Sequence, residues 1–256
     1  MDYPQTFDAD NRVLRWGGLA GILGSILFVI VFVIVGVFIG ADPTEPAGAV
    51  MRFPDIRAGR TIENGLYLVV LVLWVVHFLA LYRALRGPSL APGLFGSAIG
   101  IFGLVVLAAG ALPHAASLPI SNLYHAPGAT EADQATIALV WQGTQAIFNT
   151  LLVTGLVILP IGVTALGVGM LGSPAFGTGY GWASVALGVV GLGAAVALLI
   201  DPLSFIAVAG VFALIGFHFA VGWKVYRMSR APVGAGRLEH PLQGVSDEFR
   251  EPVVSH

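Results

Sequence analysis

The chain has 256 residues, of which 57% are hydrophobic and 10% charged, with a mean hydropathy of +0.88 and a formal net charge of −2. Charge this sparse, against roughly 25% in a soluble domain, excludes a soluble globular protein, a disordered chain and a nucleic-acid binder, and leaves an integral membrane protein. The lack of cysteine excludes disulfides, thiolate metal sites, haem c attachment and a cysteine nucleophile.

Residues 1–15 read as a cytoplasmic N-terminal segment. Trp16 to Ile39 is uncharged and long enough to cross ~30 Å of hydrocarbon at ~1.5 Å per residue. It exceeds the ~7–15 apolar residues of a cleaved signal, and no A-x-A-like site follows, so it reads as a retained signal-anchor. Pro43, Pro46 and Pro54 divide the next segment, Ala41 to Ile62, which reads as an outer loop. Within it Pro46 to Phe53 is expected to form a short interfacial helix held by Val50, Met51 and Phe53. A second span runs from Asn64 to Tyr82, and a third from after Pro88 to near Leu112. Pro113 to Ala129, with three prolines, reads as a second outer segment. Thr130-Glu131-Ala132-Asp133 then resembles a capping box with a short acid in the last place, and starts a fourth helix at about Glu131.

From Gln134 to Ile200 there is no Asp, Glu, Lys or Arg, too long a stretch for one span. Gly172-Ser173-Pro174 and the run Gly177 to Gly181 mark a tight loop inside it. The fourth helix therefore ends near Leu171, and the fifth spans about Tyr180 to Ile200. Glu131 to Leu171 would be roughly 60 Å long, so either its first turns stand outside the bilayer or it breaks, with Gly143 and Pro160 as kink points. Asp201-Pro202 breaks the chain again, and a sixth span runs from Leu203 to Trp223. The reading is all-α: a six-helix transmembrane domain over 16–228 and a flexible cytoplasmic tail over 229–256.

With the N-terminus inside, the cytoplasmic side carries Arg12, Arg15, Arg83, Arg86, Lys224, Arg227, Arg230, Arg237 and Arg250. The outside carries Arg52, Arg57 and Arg60, an anomaly that Asp42, Glu45, Asp55 and Glu63 would neutralise. This bias predicts a multi-pass protein of the cytoplasmic membrane with both termini inside. Small-xxx-small pairs (Gly17 with Gly21, Ala20 with Gly24, Gly36 with Gly40, Gly96 with Gly100) predict close helix contacts, within the bundle or with a second copy or another membrane protein.

No Asp, Glu, Lys or Arg sits at the middle of any span, so a carboxylate relay through the bilayer is unsupported. Two histidines are the strongest signal. His77 lies six residues before Arg83 and His218 six before Lys224, which puts both at one depth on helices running the same way. The bland reading gives each its own carbonyl or hydroxyl on a neighbouring helix. The functional reading makes them haem or divalent-metal ligands, or a gate on a cavity. The second signal is a stripe of amides, Gln142, Gln145 and Asn149, on one face of the fourth helix, expected to face the bundle. With Glu63, Asn64, His114 and Asp201 at similar height, it predicts an outward-facing polar vestibule. A metal site there would draw on His114, His125, Glu131 or Asp133, but no standard spacing is matched.

Enzyme templates fail at residue level. H-E-x-x-H, P-loop and Rossmann fingerprints are absent. A rhomboid-like protease needs a serine on the fourth helix, and Glu131 to Leu171 has none. A ceramidase-like His-x-x-x-His fails because Gly222 stands four after His218.

The six-helix layout, Arg57-Ala58-Gly59-Arg60 leading into the second helix, Ala84-Leu85-Arg86 leaving it, and Gly181-Trp182 opening the fifth resemble a bacterial and archaeal membrane family over residues 12 to 228. That family is catalogued as the domain of unknown function 4386 (DUF4386). The resemblance implies the fold and no activity. The expectation is a non-enzymatic binding or accessory subunit in lipid, with no cofactor. The alternatives are a redox protein using His77 and His218, and a metal-dependent hydrolase at the outer face.

Overall fold

The computed structural model describes residues 4–41, 43, 45–87, 89–200 and 206–230. Six α-helices make up nearly all of it: α1 Pro4–Ile34, α2 Pro46–Leu85, α3 Leu90–Tyr124, α4 Glu131–Leu171, α5 Gly177–Ile200 and α6 Ile206–Met228. Each contains a stretch long and apolar enough to cross a membrane. Consecutive helices run antiparallel and pack in chain order, and α1 closes the ring against α6; α2 also reaches across to α4 and α6. A Cβ on Gly18 would meet the Tyr226 backbone nitrogen at 2.5 Å, so the start of α1 and the end of α6 lie at the same end of the bundle. Arg83 pairs with Asp10 at that end, where Arg12, Arg15, Lys224 and Arg227 also sit.

Helix lengths divide the molecule. With 24 and 23 residues, α5 and α6 match the ~20 residues that span hydrocarbon, whereas α2, α3 and α4 have 40, 35 and 41. Short turns hold the ends of α2, α3, α4 and α5 level at the basic end, with a Gly93 Cβ falling 2.9 Å from Leu85. The surplus therefore projects from the opposite, distal end. There it forms a small core of its own from Val50, Phe53, Tyr124, Ala138 and Trp141, with Phe53 edge-on to Trp141 at 5.4 Å.

This projection corrects the sequence reading. The expected outer loop 41–62 is helical from Pro46 onward, and the segment 113–129 is α3 as far as Tyr124. The expected interfacial helix over Pro46–Phe53 is the first part of α2 and buries Val50 and Phe53 against α3 and α4 rather than lying on lipid. At Pro54 a neighbouring helix takes up the backbone group the proline frees: Pro54 cannot bond the Val50 carbonyl, and Ser121 Oγ approaches that oxygen at 3.5 Å. No break occurs at Gly143 or Pro160, so the first turns of α4 stand beyond hydrocarbon depth. The capping box forms as read: the Asp133 amide donates to Thr130 Oγ1 at 3.2 Å, and the Thr130 amide donates to Asp133 Oδ2 at 3.0 Å. Leu203 lies outside the described residues, as do Asp201 and 231–256 of the tail; α6 runs on past Trp223 to Met228. Residues 4–15, read as a separate segment, belong to α1.

Two of the anomalous distal arginines have structural roles. A π-helical turn, Val35–Ile39, ends α1, and Gly40 leaves it at φ 66°. Arg52 donates to the carbonyls of Ile39 and Ala41, groups that a helix C-terminus leaves unbonded. Arg60 pairs with Glu63 at 3.3 Å. Arg52→Ala should lower stability by about 1 kcal/mol, as lost hydrogen bonds to an exposed helix end imply, read as a fall in the unfolding midpoint in detergent.

Candidate functional site

Two features gather the candidate residues. The first is a cavity of about 290 Å³ that takes wall residues from all six helices. Phe28, Phe32, Tyr67, Leu107, Leu152 and Val211 are among its apolar walls, Trp74 is its floor, and Glu63, Asn64 and His114 lie at its distal end. Trp74 stands 11 residues from the end of α2 and Glu63 stands 22, so the cavity runs from mid-membrane to the edge of the hydrocarbon, roughly 16 Å.

The mouth is charged. Arg60 Nη1 lies 3.3 Å from Glu63 Oε2 and 3.4 Å from His114 Nε2, and His114 Nε2 lies 3.8 Å from Glu63. Arginine only donates, so in this contact His114 Nε2 is the acceptor. The His114 ring is held edge-on to Phe148 at 4.7 Å. Side-chain exposure of 14%, 15% and 11% for Arg60, Glu63 and His114 makes this a shielded polar cluster above an apolar chamber.

The cavity differs in kind from the expected vestibule: its body is apolar, and only its mouth is polar. Glu63, Asn64 and His114 line it, while Gln142, Gln145 and Asn149 do not. Gln145 is half-buried and donates to Ser117 Oγ at 3.2 Å, but Gln142 and Asn149 are exposed. The expectation that the stripe faces the bundle assumed hydrocarbon around it. Counted from Leu171, these amides stand ~33–44 Å up the helix, a height greater than the ~30 Å that hydrocarbon spans. Asp201 lies outside the described residues. His125 bonds the Ser121 carbonyl at 2.9 Å, Asp133 is a cap, and among the described residues no three His, Cys, Asp or Glu side chains gather to hold a metal.

The second feature lies beneath the cavity floor. His77 and His218 are fully buried, with ring centroids 5.2 Å apart. Spacing gave their common depth, and the packing of α2 on α6 makes them neighbours. Gly21 brings α1 onto both: a Cβ there would lie 2.7 Å from His77 Nδ1 and 2.8 Å from the His218 carbonyl. His77 Nδ1 is 2.9 Å from the Gly17 carbonyl, which can only accept, so Nδ1 carries the proton and Nε2 presents a lone pair. The expectation of a separate partner for each histidine holds for His77 alone. Among the described residues, His77 Nε2, both His218 ring nitrogens and Trp74 Nε1 have no hydrogen-bond partner.

A porphyrin does not fit between these rings. Trp74 stacks on His218 at 4.0 Å, and Phe78 and Phe217 pack edge-on at 5.2 and 5.1 Å, filling the space a macrocycle needs. A single ion would take His77 Nε2 and one His218 nitrogen, two protein ligands where structural zinc takes four. Periodicity and spacing did not reveal Trp74, which joins the two features: it floors the cavity with one part of its ring system and covers His218 with its face.

Comparison with protein-family models, with curated proteins and with solved structures gives no match.

Proposed function

We propose that this six-span membrane protein is a non-enzymatic binding protein for an amphipathic molecule. The observation that carries the reading is the cavity: an apolar chamber between all six helices, closed at mid-membrane by Trp74 and headed at the membrane edge by Arg60, Glu63 and His114. Apolar walls with a few convergent polar groups are the usual make-up of a ligand pocket. The aliphatic or aromatic body of the ligand occupies the chamber, and its hydrogen-bonding group exchanges contacts with the cluster at the mouth. The basic bias puts that mouth on the side away from the cytoplasm and both termini within it, in the cytoplasmic membrane.

Fluorescence tests this directly. Of the five tryptophans, Trp16, Trp182 and Trp223 are exposed and are replaced by Phe, leaving Trp74 in the cavity and Trp141 in the distal core. In nanodiscs, 12-bromododecanoic acid should quench Trp74 saturably, and Leu156→Phe, which fills the chamber, should weaken that binding about tenfold. Linear quenching, unchanged by Leu156→Phe, would refute the reading.

A further inference from the structure

A separate site lies at the basic end, on the outer surface of α5 and α6. Two depressions of about 340 Å³ each meet there at Tyr180. One is an apolar trough between the helices, lined by Ala183, Ser184 and Leu187 of α5 and Phe217, Ala220 and Val221 of α6. The other continues it toward the helix ends and is lined by Tyr180, Lys224, Arg227 and Met228. The residues follow one helical face: 180, 183, 184 and 187 on α5, and 217, 220, 221 and 224 on α6. Alanines at 183 and 220 keep the trough open, and its floor is the fully buried Phe217.

The charge at the end of this trough is one-sided. Lys224 Nζ stands 5.6 Å from the centre of the Tyr180 ring, with Arg227 one turn further along α6. No acidic residue occurs anywhere in 134–200 or 206–230, so α5 and α6 bring no carboxylate to these cations, and the two acids of α4, Glu131 and Asp133, stand at its distal start. Arg83 nearby differs, being matched by Asp10 of α1. An apolar groove ending in two cations at the membrane surface has the chemistry of a phospholipid: acyl chain along the helices, phosphate at the interface.

We infer that α5 and α6 hold one anionic phospholipid, its chain in the trough from Ala183 to Phe217 and its phosphate between Lys224 and Arg227. The site is independent of the internal cavity, which opens at the other end. The full chain, purified in detergent, is titrated with dimyristoyl phosphatidylglycerol and, separately, dimyristoyl phosphatidylcholine, and retained lipid is counted by native mass spectrometry. One phosphatidylglycerol should be retained in preference to phosphatidylcholine. Lys224→Ala and Arg227→Ala should each weaken it about fivefold, in line with the value of one cation at an anionic membrane surface, and Lys224→Arg should restore it. Ala220→Leu, which fills the trough, should weaken both lipids alike. Excess glycerol 3-phosphate should not compete, because it lacks the chains. Equal retention of the two lipids, retention unaffected by the double alanine variant, or full competition by glycerol 3-phosphate would each overturn the assignment. So would binding that appears only after removal of residues 231–256, since the acidic tail would then be the occupant.

Discussion

Gly162→Leu should prevent α3 from docking on α4, with a loss of at least about 3 kcal/mol or failure to accumulate as folded protein. A Cβ at Gly162 would stand 2.5 Å from the Gly100 nitrogen and 2.7 Å from the Gly96 carbonyl. Those are backbone atoms of α3, so no side chain can swing aside, and the two helices must separate. Separation would also strip packing from Leu104, Leu159 and Leu166, all buried at that seam. Gly193→Leu is the matched control: nothing lies within 4 Å of its Cβ position, and replacing a helical glycine there should be neutral or raise stability by up to about 1 kcal/mol. Thermal midpoints of the two variants in the same detergent check the pair. Similar midpoints would mean that close backbone approach does not hold α3 to α4.

His218→Leu should keep or raise the thermal midpoint, against the usual direction for a change at a fully buried position. Neither ring nitrogen of His218 has a partner among the described residues, and an unbonded buried polar group costs about 1–3 kcal/mol. Leucine is of similar size and removes that cost while keeping apolar contact with Trp74 and Phe78. His77→Leu should gain less, because it also gives up the 2.9 Å bond to the Gly17 carbonyl. A fall in the midpoint for His218→Leu would mean that the imidazole holds a water molecule or an ion in the folded protein. The dyad beneath the cavity would then be a site rather than a packing feature.

The glycine pairs mark where pattern reading stops. Gly17, Gly21, Gly24, Gly96 and Gly100 lie against neighbouring helices, as small-xxx-small spacing predicts, but Gly36 has nothing within 4 Å and Gly40 ends a helix at positive φ. The spacing is the same in each case. It tells which surfaces can approach closely and leaves open which have a neighbour at that height.

The sequence by itself determined the all-α class, the six spans, the capping box at Thr130 and the common depth of His77 and His218. Each is a local or one-dimensional property: a run of apolar side chains, a four-residue hydrogen-bond pattern, a count of residues from a charged end. Only the tertiary structure decided that α2, α3 and α4 continue through their prolines; at Pro54 the freed Val50 carbonyl is met by Ser121 of α3. It alone decided that Gln142 and Asn149 are exposed while Gln145 turns to Ser117 of α3, since their surroundings depend on where the other helices end. And it alone placed Trp74 between an apolar cavity and two adjacent imidazoles, because the order of helices around the bundle is set by side-chain packing between segments far apart in the chain, which residue spacing along one helix does not encode.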